Sequence, residues 1–214
     1  MPNPAIKICG LQDPAHVQLL GELGVTYAGF VFVAGSPRKV SFARAHALTD
    51  AARQAGVKTV GLFCNAPRPA VSLAAEALQL DIVQLHGQED TDYLHTLTLP
   101  KTTGVWKAVP FTPDAVNGYR GSKLDALLLD APPKDGLTGG TGHAFDWTAL
   151  SGLDPAGLPP LALAGGLTPA NVADAIRTTT PDIVDVSSGV ESTRGVKSPS
   201  LIRSFVAAVR SASA

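Results

Sequence analysis

Short apolar runs recur along the chain at a nearly regular interval, at residues 6–9, 27–33, 58–64, 81–85, 104–109, 126–130, 161–164 and 183–186. Each is too short for a helix, rich in Val, Ile, Leu or Phe, and closed by Gly, Pro, Asn or Asp. Runs without polar alternation are the signature of strands covered on both faces. Eight of them in 214 residues give about 27 residues per unit, roughly one strand plus one helix. Several intervening stretches carry a helical period. Val71, Ala74, Ala75 and Leu78 sit at i, i+3, i+4 and i+7, and Ile202, Phe205, Val206 and Val209 repeat that spacing. Asp13-Pro14, Thr168-Pro169 and Ser198-Pro199 each place a capping side chain before a proline at the first helical position. The helices after the fourth, fifth and sixth strands are weakly patterned. One of them reads as short, at 146–150, and 155–160 must be loop.

Eight alternations of strand and helix fit a closed (β/α)8 barrel or an open doubly wound sheet. The barrel is favoured because eight strands close it, and because 214 residues lies near the roughly 200-residue lower limit of that fold. No Gly-x-Gly-x-x-Gly follows the first strand, so the usual dinucleotide fingerprint is missing. No linker or low-complexity tract interrupts the pattern, and the expectation is one (β/α)8 (TIM) barrel domain over residues 1–214.

Composition narrows the function classes. Hydrophobic residues make up 45% and charged residues 16%, and the net charge of −1 leaves no basic excess for a nucleic-acid partner. No apolar run approaches the roughly 18 residues of a membrane span. The first residues lack a cationic-then-apolar leader pattern. Two cysteines, Cys9 and Cys64, cannot make a disulfide scaffold. The expectation is a soluble, cytoplasmic protein.

In a barrel of this kind, chemistry belongs at the carboxyl ends of the strands and in the loops that follow. Those positions hold Cys9-Gly10, Ser36-Pro37-Arg38, Cys64-Asn65, His86-Gly87, Asp130, the glycine-rich 139–142, Gly165-Gly166, and Asp185 followed by Ser187-Ser188-Gly189. The polar residues of an apolar chain thus collect on one rim. The loops after the seventh and eighth strands, with Gly166, Ser188 and Gly189, read as an anion site in which backbone N–H groups approach a phosphate. Alternatively, these glycines only permit tight turns. The loop at 139–142 reads as a cover over the site or as a turn.

Asp130 ends the run Leu127-Leu128-Leu129, where lost hydration favours a protonated, acid-competent carboxyl, unless it merely caps the next turn. Cys64 reads as a small buried hydrophobe. Cys9 differs, because it sits at a strand end beside the proposed phosphate loops. A base role there needs a nearby cation to favour the thiolate. Lys7 shares a strand face with Cys9, and the eighth strand, adjacent to the first in a barrel, offers Asp185 as its partner. A Lys7–Asp185 pair beneath Cys9 is therefore expected, against the alternative of an exposed lysine at a strand start. Arg38 and His86 can bind a carboxylate or line a pocket, or be a solvated arginine and a histidine with a local hydrogen bond. No His, Cys and carboxylate spacing matches a zinc or iron site.

Six ordered motifs run from about residue 6 to the final helix. They are Lys7-Ile8-Cys9-Gly10, Phe32-x-x-x-Ser36-Pro37-Arg38-x-Val40, Val83-Gln84-Leu85-His86-Gly87, Gly139-Gly140-Thr141-Gly142-x-x-Phe145-Asp146-Trp147, Leu163-Ala164-Gly165-Gly166-Leu167 and Asp185-Val186-Ser187-Ser188-Gly189-Val190-Glu191. Together they resemble the phosphoribosylanthranilate isomerase family. The resemblance implies a cofactor-free Amadori rearrangement of a small phosphoribosyl substrate in tryptophan biosynthesis. It makes Cys9 the general base and Asp130 the general acid. It gives Arg38 the anthranilate carboxylate, places His86 and Asp185 around the pocket, and assigns the phosphate to Gly166, Ser188 and Gly189. It assigns nothing to Cys64, and the loop Leu11-Gln12-Asp13-Pro14 departs from the family pattern. Two other readings stand beside it: the related histidine-pathway aminoaldose–ketose isomerase, which resembles a two-aspartate, two-half barrel, and a non-catalytic barrel that binds a phosphorylated ligand. Both a monomer and a homodimer are compatible with apolar residues on the outer helices.

Overall fold

All eight apolar runs are strands in the computed structural model, which describes residues 3–130 and 153–212. They are β1 (Ala5–Cys9), β2 (Tyr27–Val31), β3 (Lys58–Phe63), β4 (Ile82–Leu85), β5 (Gly104–Pro110), β6 (Ala126–Asp130), β7 (Leu161–Leu163) and β8 (Ile183–Val186). Neighbours pair in parallel in chain order, and β8 pairs back onto β1 to close the barrel. The expected (β/α)8 class is the observed one. The glycine-rich 139–142 and the short helix expected at 146–150 lie outside the described residues.

Alternation along each strand separates two apolar layers. Val60, Ile82, Trp106, Ala108, Ala126, Leu128, Ala162, Ala164 and Ile183 form one buried cluster, with Ala5 and Tyr27 against it. These residues fill the barrel lumen. The intervening residues face the helices, where Ile8, Phe30, Val83 and Val184 pack with the helical stripes.

The helices are α1 (Pro14–Glu22), α2 (Phe42–Ala55), α3 (Arg68–Leu78), α4 (Thr91–Thr96), α5 (Pro113–Asn117), α6 (Val172–Thr179) and α7 (Pro199–Ser211). The expected stripes are buried, Val71, Ala74, Ala75 and Leu78 on α3 and Ile202, Phe205, Val206 and Val209 on α7. Asp13 accepts from Ala15 N at 2.9 Å and Ser198 from Leu201 N at 3.4 Å, so both act as N-caps ahead of proline. The third expected start is displaced: α6 begins at Val172 rather than Pro169. Asn171 is the reason, since its Oδ1 accepts from Thr168 N at 2.7 Å and its Nδ2 donates to Gly166 O at 3.0 Å, holding this stretch as a loop.

After β8 the chain makes one 3-10 turn (Ser188–Val190) and then a small antiparallel hairpin, β9 (Glu191–Thr193) and β10 (Val196–Lys197). Gly195 at φ 87° makes its turn, a conformation that side-chain-bearing residues rarely adopt. Among the described residues, no helix is long and apolar enough to cross a membrane.

Candidate functional site

The carboxyl ends of the strands gather the polar side chains onto one rim. Lys7 and Asp185 are register partners across β1 and β8, and Lys7 Nζ donates to Asp185 Oδ1 at 2.9 Å with both side chains buried. The expected pair beneath Cys9 is therefore present. Burial works against the Lys7 ammonium, but Asp185 and then Cys9 outweigh it and raise its pKa above the ordinary lysine value.

Cys9 lies two residues up the same face and is 5% exposed. Burial pushes its thiol up, Lys7 and Lys197 pull it down, and Asp185 pushes it up again. Burial wins on balance, so the thiol keeps its proton more strongly than a free cysteine. Space for both side chains comes from β2. A Cβ on Gly29 would stand 3.0 Å from Cys9 Sγ and 3.2 Å from Lys7 Cε. A glycine inside a strand marks close approach by a neighbour, which was the available signal for this residue.

Asp130 ends β6 on the same rim, and its Oδ2 lies 3.1 Å from His86 Nε2. The Gln84 amide lies 3.1 Å from His86 Nδ1, so the ring bridges Gln84 and Asp130. The loop carrying His86 is held by a buried ion pair that the sequence pattern did not reveal. Lys107 of β5 donates to Glu89 Oε2 at 3.0 Å and to Gly87 O at 2.7 Å. Glu89 also accepts from Asn65 N and Gly87 N, at 2.7 and 2.8 Å. The pair thus clamps the loops after β3 and β4. Burial opposes the Glu89 charge, but Lys107 and the amides hold its carboxyl below the usual range.

Arg38 is neither solvated nor free-standing. Its Nε and Nη2 donate to the two oxygens of Glu191 at 2.6 and 2.9 Å. Lys197 donates to the same carboxylate at 2.6 Å, and Gly195 N adds a bond at 2.9 Å. Burial again opposes the charge, but Arg38 and Lys197 hold the Glu191 carboxyl at about 2. A group whose pKa is depressed on folding stabilises the fold above its unfolded value and loses that effect as pH falls through the folded value. Glu191 should therefore contribute its full effect above its ordinary 4.5 and lose it toward 2. This effect amounts to roughly 3 kcal/mol. Urea unfolding across this acid range is expected to show a shallower loss of stability in Glu191→Gln than in the parent. Equal slopes would mean that the carboxylate is not held this way.

The phosphate candidates come together. Gly165 and Gly166 turn with φ 78° and 66° after β7. A Cβ on Gly189 would stand 1.9 Å from Leu167 O, so the loops after β7 and β8 touch there backbone to backbone. The tight-turn reading holds for Gly165 and Gly166, and Gly189 allows the close approach of the Leu167 carbonyl. Cys64 is a correction. It is exposed just beyond β3 rather than packed as a small hydrophobe, because the chain has already left the strand and turns through Asn65 at φ 51°.

A family model for N-(5'phosphoribosyl)anthranilate isomerase matches residues 6–208. The N-(5'-phosphoribosyl)anthranilate isomerase of Paracoccus denitrificans (strain Pd 1222) is 46% identical over 209 residues, covering 95% of both chains. Among solved structures, the phosphoribosyl anthranilate isomerase of Thermotoga maritima superposes with a TM-score of 0.86 at 32% identity, covering 97% of this chain and 99% of that one. A phosphoribosyl anthranilate isomerase in complex with reduced 1-(o-carboxyphenylamino)-1-deoxyribulose 5-phosphate superposes at 0.82 and 30% identity, with coverage of 97% and 99%. Barrel, rim and near-full-length similarity agree, and the chain belongs to the N-(5'-phosphoribosyl)anthranilate isomerase family.

Proposed function

We propose that the chain converts N-(5'-phosphoribosyl)anthranilate to 1-(2-carboxyphenylamino)-1-deoxyribulose 5-phosphate in tryptophan biosynthesis, with Cys9 as general base and Asp130 as general acid. The observation that carries the reading is the seating of Cys9 above the buried Lys7–Asp185 pair, on the same rim as Asp130. The structural relative bound to a reduced aminoketose phosphate supports the substrate class.

Asp130 gives its proton to the ribose ring oxygen as the bond from that oxygen to C1' breaks, which leaves a protonated imine at C1'. The Cys9 thiolate takes the proton from C2', and the electron pair moves into the imine to give an enolamine. Loss of the C2' hydroxyl proton and protonation of C1' then complete the aminoketose. The cationic imine is the electron sink, so the steps balance without an added oxidant, reductant or metal. His86 orients the Asp130 carboxyl through their contact. Arg38 keeps its second edge, with Nη1, turned from Glu191 and suited to the anthranilate carboxylate. The touching loops at Gly166, Ser188 and Gly189 receive the phosphate.

The test is to generate phosphoribosylanthranilate in situ and follow the loss of its fluorescence. Turnover well above the no-enzyme control is expected. A rate equal to that control would overturn the reading.

A further inference from the structure

Lys197 is as buried as the Lys7–Asp185 pair and helps hold Glu191, yet the proposed steps do not use it. Its side chain is 1% exposed, and Nζ donates to Ser187 O at 2.9 Å, Ser187 Oγ at 3.2 Å and Glu191 Oε1 at 2.6 Å. Ser187 Oγ spends its own proton on Cys9 O at 3.1 Å, so toward Lys197 it can only accept. Three acceptors around one nitrogen require three N–H bonds, which is the ammonium form. Ser187 thus fastens this cation to the residue that carries the thiol.

We infer that Lys197 is a positioning residue for the isomerisation: its buried ammonium, tied to the end of β1 through Ser187, supplies part of the positive field in which Cys9 gives up its proton. The inference rests on the reading of Cys9 as the base.

The charged groups that act on Cys9 stand on three strands. Lys7 stands on its own strand, Asp185 on β8 and Lys197 on β10, while β2 presents only Gly29. Arg38 lies across Gly10, where a Cβ would stand 2.5 Å from its Cδ. Among the described residues of this group, Lys7, Arg38 and Lys197 face Asp185 and Glu191, three cations against two carboxylates. Lys7 is spent on Asp185. Arg38 and Lys197 share Glu191; the free edge of Arg38 is turned to the substrate carboxylate, and Lys197 is the member of the group tied through Ser187 to Cys9. The field of Lys197 also opposes the burial that raises the Cys9 thiol. A hairpin of two short strands could be fastened by a neutral donor, whereas desolvating an ammonium is costly. The charge is what Lys197 adds.

The test uses the full chain with the exposed Cys64 changed to serine, so that thiolate absorbance in the ultraviolet reports Cys9 alone. In that background Lys197→Met and Lys197→Gln are expected to move the Cys9 midpoint, and the acid limb of kcat/KM, up by about one pH unit. A single charge about 10 Å away in a dielectric of about 20 shifts a midpoint by a little over one pH unit. Lys197→Arg should bring both back toward the parent. Lys197→Gln keeps a hydrogen-bond donor and decides the matter if the Met variant does not fold by near-ultraviolet circular dichroism. An unmoved thiol midpoint in a folded neutral variant overturns the inference and leaves Cys9 standing as the base. A midpoint that moves while the acid limb stays overturns Cys9 as the base, and with it the part of Lys197 in the reaction.

Discussion

Replacing Cys9 with serine is expected to lower kcat by about 10²- to 10⁴-fold, the range for losing one general acid or base. The change nearly conserves shape, and Cys9 sits at a strand end against Gly29, so the barrel should tolerate the slightly smaller hydroxyl. A serine hydroxyl is far too weak an acid to be deprotonated by the field of Lys7 and Lys197. The proton on C2' then has no acceptor, although substrate still binds. The signature is a fall in kcat and kcat/KM together, with little change in KM, because the lost interaction is made only in the transition state. Asp130→Asn should give a loss of the same order by a different route. The amide keeps the contact with His86 but has no acidic proton to give the ribose ring oxygen. Stopped-flow or steady-state decay of substrate fluorescence measures both. Full activity in Cys9→Ser would leave the fold and family intact and remove the assigned base.

How much of this was legible in the sequence depended on the distance over which each contact is set. The strands stood out because both of their faces are covered, so a run such as Leu127-Leu128-Leu129 needs no alternation to be recognised. The Lys7–Asp185 pair spans 178 positions, yet it was legible because closure of eight strands makes the first and last neighbours. By contrast, nothing local announces that Arg38 meets Glu191, 153 positions away, or that Lys197 is buried. In Gly195-Val196-Lys197-Ser198 a lysine has the pattern of a solvated loop charge, and strands of two or three residues are too short to show a period. The longest helix among the described residues, α2, was muted for another reason. Its buried positions include Ala45, Thr49, Ala51 and Ala52, small side chains that dilute an apolar stripe. Thr168-Pro169 had the right residues for a helix start, but the Asn171 side chain competed for the same backbone groups and delayed it.

Replacing Lys7 with methionine should be the most destabilising single change at the site, costing about 3–5 kcal/mol. Methionine fills much of the space, so the loss is chiefly electrostatic. The Lys7 side chain is fully buried and Asp185 is 10% exposed, and removing the ammonium leaves that carboxylate desolvated with no cation beside it. Adding Asp185→Leu removes the stranded charge as well, and replacing both members of a buried pair by apolar groups is often neutral or better. Denaturant titration should therefore place the double variant near the parent and the single variant well below it. Activity should follow the opposite logic. In the single variant Cys9 loses a cation and keeps the anion, which pushes the thiol further from ionising. The double variant relieves the anion but restores no cation, and it also removes a carboxylate from the pocket, so it should be stable and still impaired. A double variant as unstable as the single one would mean that packing rather than charge sets the cost. A single variant as stable as the parent would mean that the pair contributes nothing to the fold. Recovery of stability without recovery of turnover is the result that separates what Lys7 does for the barrel from what it does for Cys9.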